Sequence, residues 1–219
     1  DLHKAIRRQR QMCIRDRTIT AYHIGFILGP CMNASGRLST AKRALNLLLT
    51  EDEKEASVLA EDLKELNDSR KDMTAKGVEQ AIEMVENTEL AKDRVLVIYL
   101  PDCHESLAGI IAGRIRERYT KPVFVLTRGE EGVKGSGRSI EAYHMFQEMV
   151  KCKELFTKFG GHPMAAGLSM EEENIEKLRR RLNENCTLTQ EDMTEKIVID
   201  VPMPMSYVTI PLILSLIHI

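Results

Sequence analysis

The run Arg94-Val-Leu-Val-Ile-Tyr-Leu100 decides the fold of this chain. It is short, apolar and rich in β-branched residues, so it reads as a buried strand. The next stretch, His104 to Tyr119, changes period. Leu107, Ile110, Ile111 and Ile115 fall on one side of a helix, and Gly109 and Gly113 let that helix approach a sheet closely. Pro122-Val-Phe-Val-Leu126 is a second strand. Strand, helix and strand at this spacing predict a βαβ unit with a parallel pair and a right-handed crossover.

Downstream, the pattern predicts a strand over Val133–Ile140, a helix near Ala142–Phe156 and a strand near Ala166–Met170. A helix over Glu172–Asn185 follows, with Ile175, Leu178 and Leu182 on its apolar side, and then a strand, Lys196–Val201. Pro202 and Pro204 break regular structure after it. Upstream, Ser39 or Thr40 caps a helix running to Leu49, and Thr50 with Glu53 forms a capping-box signal for a long helix. Ala56, Leu59, Leu63 and Leu66 make its stripe, and Val78, Ile82 and Val85 continue in a further helical run to about Asn87. The reverse face is charged, as on a core-facing helix. The fold class is α/β: a long helical linker followed by a βαβ-containing mixed-sheet domain with flanking helices.

Two stretches carry candidate chemistry. Lys134-Gly-Ser-Gly-Arg-Ser-Ile140 clusters Ser136, Arg138 and Ser139 between glycines, and arginine offers a planar fork suited to phosphate oxygens. The alternative is a hairpin with an exposed arginine. Lys158-Phe-Gly-Gly-His-Pro-Met-Ala-Ala-Gly-Leu-Ser-Met170 places Gly160 and Gly161 before His162. Paired glycines allow a sharp turn and close approach to a ligand, and the histidine could serve a phosphate or sit near a metal. A plain tight turn with a packed histidine is equally open. Asn33 and Arg37 read as a Gly-bounded loop ahead of a helix, either a phosphate site or a turn with a surface arginine. His104, at a helix N-terminus, is an anion site or a cap.

Charge supports a polyanion surface. Between Gly113 and Arg138, seven basic residues face only Glu117, Glu130 and Glu131. Five cysteines occur without a CxxC pair, which argues against a zinc site and suits a reducing cytoplasm. The apolar fraction, 43%, is that of a globular protein. The apolar tail from Val208 is too short for a membrane span.

GSGRS and GGH, in this order, resemble the motifs of the DHH-associated domain of RecJ-type single-strand-specific exonucleases, members of the DHH phosphoesterase superfamily. A third segment, Leu28-Gly-Pro-Cys-Met-Asn-Ala-Ser-Gly-Arg-Leu38, resembles the family's Gly-Pro, Asn-Ala, Gly-Arg-Leu pattern. The resemblance covers roughly Ile19 to Met203. It implies a 5′-to-3′ exonuclease acting on single-stranded DNA in repair and recombination. Arg37, Ser136, Arg138 and Ser139 would bind phosphate, with Gly160, Gly161 and His162 at the scissile one and His162 in the catalytic role. The family's metals, manganese or magnesium, are held by aspartates and histidines of its N-terminal domain. No Asp-His-His run occurs in this chain, and Asp102-x-His104 is a weak substitute. No metal site is therefore expected here, and the chain alone is expected to be inactive. Single-stranded DNA is the expected partner, with other repair proteins beside it, no membrane and a cytoplasmic location. The alternatives are a DHH-family oligoribonuclease or cyclic-dinucleotide phosphodiesterase, which share GGH, and a non-catalytic RNA-binding module of the alanyl-tRNA synthetase type. No zinc-binding Cys/His cluster of the synthetase kind supports the last.

The ends of the chain read differently. Back-translation of Met12–Arg17 gives a DNA word whose reverse complement encodes Leu-Ser-Leu-Ile-His-Ile, the sequence of Leu214–Ile219, in a shifted frame. The word resembles a sequencing adapter. Residues 1–17 and 214–219 are accordingly expected to be adapter-derived and are set aside from the fold. Residues 18–49 are expected to be the tail of a truncated DHH catalytic domain, 50–92 the linking helices and 93–194 the DHH-associated substrate-binding domain. Residues 195–213 would open a truncated oligonucleotide-binding barrel. Without 1–17, the balance is 25 basic against 31 acidic residues, net −6.

Overall fold

A computed structural model describes residues 19–217; the N-terminal segment assigned to adapter lies outside them. A one-turn helix, Ala21–His23, runs through a π-helical turn, Ile24–Leu28, into α1, Gly29–Leu38. Helix α2 spans Lys42–Leu49 and α3 spans Glu53–Asn87. The α/β domain then follows as β1 (Leu96–Tyr99), α4 (Ala108–Tyr119), β2 (Val123–Arg128), β3 (Val133–Arg138), α5 (Met145–Val150), β4 (Phe156–Gly161), β5 (Ala165–Met170) and α6 (Ile175–Glu184). A last helix, α7, covers Ile210–Ile217.

The long helical segment is one helix of 35 residues, not two successive runs. Its cap is Asp52, whose carboxylate accepts from the amides of Lys54 at 2.7 Å and Glu55 at 3.1 Å. An aspartate at this position satisfies two orphan donors and suits the positive end of the dipole, so it displaces the expected Thr50 start. The stripe continues without a break through Leu63, Asn67, Thr74, Gly77, Ala81 and Val85, all buried. Thr40 contributes a hydroxyl to the amide of Lys42, although the residue preceding α2 is Ala41.

The sheet has the order β1-β2-β3-β5-β4. The β1–β2 pair is parallel across α4, as the βαβ pattern predicts, and every other pair is antiparallel. Both faces bury apolar side chains, the second only over part of the sheet. One buries Phe124, Leu126, Leu168 and Met170 against Met145, Met149, Leu178 and Leu182. The other buries Leu96, Ile98, Val123 and Val125 under Ile111 and Ile115 of α4, with Ala81 and Val85 of α3 beyond.

Helix α6 is fixed to the edge strand β1 by polar contacts. The Asn183 side-chain oxygen accepts from the backbone amides of Arg94 (2.8 Å) and Val95 (3.0 Å), and its nitrogen donates to the Val95 carbonyl at 2.9 Å. Beside it, the Arg179 guanidinium grips the Asp93 carboxylate at 2.6 and 3.3 Å.

Four expectations are corrected. Asn33 and Arg37 lie on α1, an ordered helix with Pro in its first turn, not on a loop. Gly160 and Gly161 end a strand, β4, that the sequence pattern did not reveal, so the turn proper is His162–Met164. The helix expected over Ala142–Phe156 shortens to α5 plus a 3₁₀ turn, Lys153–Leu155, because Phe156 already belongs to β4. Lys196–Val201 forms no strand: it has no pairing partner, and Ile197, Val198 and Ile199 are 81%, 82% and 72% exposed. An unpaired strand leaves its backbone groups unsatisfied and buries nothing.

Asn183→Ala should lower the unfolding free energy by about 2–3 kcal/mol, since it strands the amide and carbonyl of buried Val95, just ahead of β1; urea titration reads this directly. Deleting Leu214–Ile219 should leave the melting temperature unchanged, because Leu214 and Leu216 are 51% and 61% exposed. A fall of several degrees would show that α7 packs productively.

Candidate nucleic-acid interface

Strand register assembles the candidate site. On the α4 side of the sheet, Arg138 pairs with Ala165, whose carbonyl accepts from the amide of His162 at 2.8 Å. Two residues along, Ser136 pairs with Gly167, and Gly167 with Gly160. Two further along, Lys134 pairs with Ser169, and Ser169 with Lys158. GSGRS and GGH thus lie on adjacent parts of one surface, separated only by β5.

Helix α4 packs over β2 and β3 and leaves β5 and β4 largely uncovered. Its first turn forms one wall, where a Cβ on Gly109 would meet the Arg138 Nη2 at 2.8 Å and the Ser136 Oγ at 2.9 Å. Only glycine leaves those two groups room. By contrast, a Cβ on Gly160 would meet nothing within 4 Å, and one on Gly167 only a carbonyl at that limit. These two glycines lie beneath open space. On the opposite face the situation reverses: a Cβ on Gly135 would collide with the buried Leu126 Cδ2.

The electrostatics are one-sided. Arg138 is half-buried; its Nη1 donates to the Ser136 hydroxyl at 3.1 Å and to the Gly137 carbonyl at 2.7 Å. Burial first, then the like charges of Arg116 and Arg37, lower its pKa from the ordinary arginine value. No carboxylate pairs with Arg138 or Arg37 among the described residues. Arg37 reaches across from α1 and donates to the Ser106 carbonyl at 2.8 Å, which brings it to the wall of the same surface. Two guanidiniums without a carboxylate partner, Arg37 and Arg138, a serine hydroxyl and bare backbone form a donor-rich surface suited to an anion, while Arg116 is paired with Glu117 at 3.2 Å.

Not every predicted residue faces it. Ser139 is 1% exposed, and its hydroxyl donates to the Tyr143 carbonyl at 2.6 Å, so it fastens the loop before α5 rather than the surface. Strand alternation explains this: Ser136 and Arg138 share one face and Ser139 turns inward. His162, Gly160 and Gly161 are exposed. His104 is a cap, its ring accepting from the Ser106 amide. Sequence reasoning missed Gly109 and Ser106 as wall residues; they lie on a segment read only as core-facing helix. Arg116 was visible within the basic segment but not singled out.

A cavity of about 420 Å³ continues the surface, lined by Glu105, Ser106, Lys134, Lys158, Gly167 and Ser169 among others. Among the described residues, no group of three His, Cys, Asp or Glu side chains could hold a metal ion, and no helix is long and apolar enough to cross a membrane.

Comparison with known proteins gives the class first: residues 92–187 match the family described as DHHA1 domain. Over a longer stretch the chain is similar to RecJ proteins. It is 40% identical over 173 residues to the single-stranded-DNA-specific exonuclease RecJ of Bacillus subtilis, covering 77% of this chain and 22% of the relative. The RecJ of Escherichia coli is 38% identical over 177 residues, covering 77% of this chain and 31% of that protein. The crystal structure of RecJ from Thermus thermophilus in complex with Mg²⁺ superposes with a TM-score of 0.68 at 30% identity, over 77% of this chain and 26% of that one. A second structure of the same protein, with Mn²⁺, gives the same TM-score of 0.68. The chain thus spans between 22% and 31% of the length of these curated relatives.

Open space over Gly160 makes a clear stability contrast. Gly160→Ala should stay within about 0.5 kcal/mol of wild type, whereas Gly135→Ala should lose about 1–3 kcal/mol through overpacking against Leu126. Denaturation midpoints of the two variants decide it, and equal losses would mean that the face over Gly160 is already occupied by the chain itself.

Proposed function

We propose that this chain is the nucleic-acid-gripping part of a RecJ-like exonuclease that removes nucleotides from single-stranded DNA, 5′ to 3′, in repair and recombination. The observation that carries the reading is the register of β3, β5 and β4, which sets Arg138, Ser136 and Gly160 on one open surface, with His162 tied beside it to the Ala165 carbonyl and no carboxylate paired to Arg138 among the described residues. Arg37 and Arg138 supply forked cations, the Ser136 hydroxyl a neutral donor, and Gly160 and Gly161 close backbone approach to a backbone phosphate. His162 serves the reacting phosphate. Relatives named as single-stranded-DNA-specific exonucleases support this reading; none of those named here is an oligoribonuclease, a cyclic-dinucleotide phosphodiesterase or a synthetase.

Solved RecJ structures carry Mg²⁺ or Mn²⁺, and a divalent ion of this kind would activate water for phosphodiester attack. The described residues do not fit such an ion: Asp102 and His104 lack a third ligand, and the His104 ring already accepts from the Ser106 amide. In this reading the metals are held by the DHH domain. Residues 18–49 belong to the tail of that domain, 50–92 link it, 93–194 bind substrate, and 195–213 open an oligonucleotide-binding barrel. Residues 1–17 and 214–219 derive from adapter. The four cysteines of the described residues are free thiols, in keeping with a cytoplasmic protein.

Arg138→Ala should weaken single-strand binding by roughly ten- to a hundredfold, because charge-assisted bonds are worth about 1.5–3 kcal/mol and each decade corresponds to about 1.4 kcal/mol. His162→Ala should weaken it less. Salt titration of fluorescent-oligonucleotide binding checks both; equal affinities and equal salt slopes for wild type and Arg138→Ala would leave GSGRS a structural hairpin.

The chain as it stands should release no nucleotides from labelled single-stranded DNA with Mn²⁺. Release that is abolished by a substitution within residues 18–213 would show that a metal site does form here.

A further inference from the structure

We propose that Lys134, Lys158 and Ser169 form a second phosphate subsite, at the opposite end of the surface from Arg138, which takes a different backbone phosphate of the same single strand. The inference rests on the phosphate role of Arg138 and extends it along the sheet.

Three observations carry it. The first is register: Lys134, Ser169 and Lys158 are consecutive partners across β3, β5 and β4, on the same face as Arg138 and two pleats away. Four residues of strand separate Arg138 from Lys134, roughly 13 Å at the usual rise. Consecutive phosphates of a nucleic acid cannot reach that far, so the two ends hold different phosphates rather than two oxygens of one. Between them lies the row Ser136, Gly167 and Gly160, almost devoid of side chain. It is a trough floor with a basic group at each end.

The second observation is the cavity of about 420 Å³, which Lys134, Lys158 and Ser169 line together with Ser106. The third is charge. Lys158 is exposed and has no carboxylate partner among the described residues. Lys134 is held at the cavity wall by Glu105, Nζ to Oε2 at 2.7 Å. That exposed bridge is weak by nature, so an incoming phosphate can take the ammonium from the carboxylate while Glu105 swings to solvent. Two ammoniums and two hydroxyls around an open cavity suit a phosphate as point charges, in contrast to the forked grip at Arg138.

The test measures binding of the whole chain to two probes by fluorescence anisotropy across a salt series: an oligothymidylate long enough to span the trough, and a thymidylate dinucleotide too short to do so. Lys158→Ala should weaken binding of the long probe about threefold to tenfold and flatten its salt slope by about 0.7, the value for one phosphate of a single strand. Its binding of the dinucleotide should not change. Lys158→Arg should restore the long-probe affinity, and Glu105→Gln, which frees Lys134, should raise it. Arg138→Ala should weaken both probes. Lys158→Ala binding the long probe as wild type does, with an unchanged slope, overturns the second subsite, while loss at Arg138→Ala still upholds the first. Arg138→Ala without effect on either probe overturns the first reading. A Lys158→Ala loss equal for both probes also overturns the proposal, because it places Lys158 at the same phosphate as Arg138.

Discussion

The position of β5 between β3 and β4 is the constraint on which the rest depends. Backbone pairing fixes which residues of three strands stand side by side, and pleating fixes which of them face the same way. Slipping β5 by one residue would exchange Gly167 with Leu168 and Ala166, turning the open surface apolar and burying its glycines. The register is held from the other face, where Leu168, Met170 and Phe124 interlock and where a Cβ at Gly135 or Gly137 would force Leu126, Met145 or Phe124 to shift. The hydrophobic core thus sets the geometry of a polar surface that it does not touch.

The same sheet divides its α4 face unevenly. Over β1 and β2, Ile111 and Ile115 seal the strands. Over β5 and β4 no helix follows, and the residues presented there are Ala165, Gly167, Gly160 and Ser169, which have little apolar area to bury. Covering such a face would gain little hydrophobic free energy. Leaving it open costs little and exposes backbone to whatever approaches. At its margin Arg138 stays half-buried beside Arg37 and Arg116 without a counter-charge, an arrangement that an anion relieves.

How much of this was legible in the sequence follows from which forces were local. The βαβ unit was legible because Arg94–Leu100 and His104–Tyr119 carry their periods in the residues themselves. The motifs were legible as residue types, and the family resemblance joined them. Strand β4 was not, because four of the six residues of Phe156-Thr-Lys-Phe-Gly-Gly161 are glycine or polar and it is a strand only by pairing with β5. The strand expected at Lys196–Val201 failed for the converse reason: its propensity is high, but nothing in the chain pairs with it. Ser139 was misjudged because one step along a strand reverses a side chain, and the motif alone does not show where β3 ends. Arg37 was placed on a Gly-bounded loop, whereas Gly29–Leu38 is a helix in which Pro30 fits the first turn.

Arg37 also shows that the candidate interface is not confined to residues 92–187, the stretch that matches the DHHA1 domain family. Its guanidinium comes from α1, 69 residues before the carbonyl of Ser106 to which it donates. Helix α1 in turn packs along α3, whose stripe runs without interruption to the α4 face of the sheet. A 35-residue helix buried along one side is a stiff strut, so the distance from Arg37 to Arg138 is set by packing rather than by a tether. Two cations brought together this way repel each other, and the packing of α1, α3 and α4 holds them against that repulsion. The surface is therefore organised before any phosphate arrives, and binding energy need not be spent on gathering its charges.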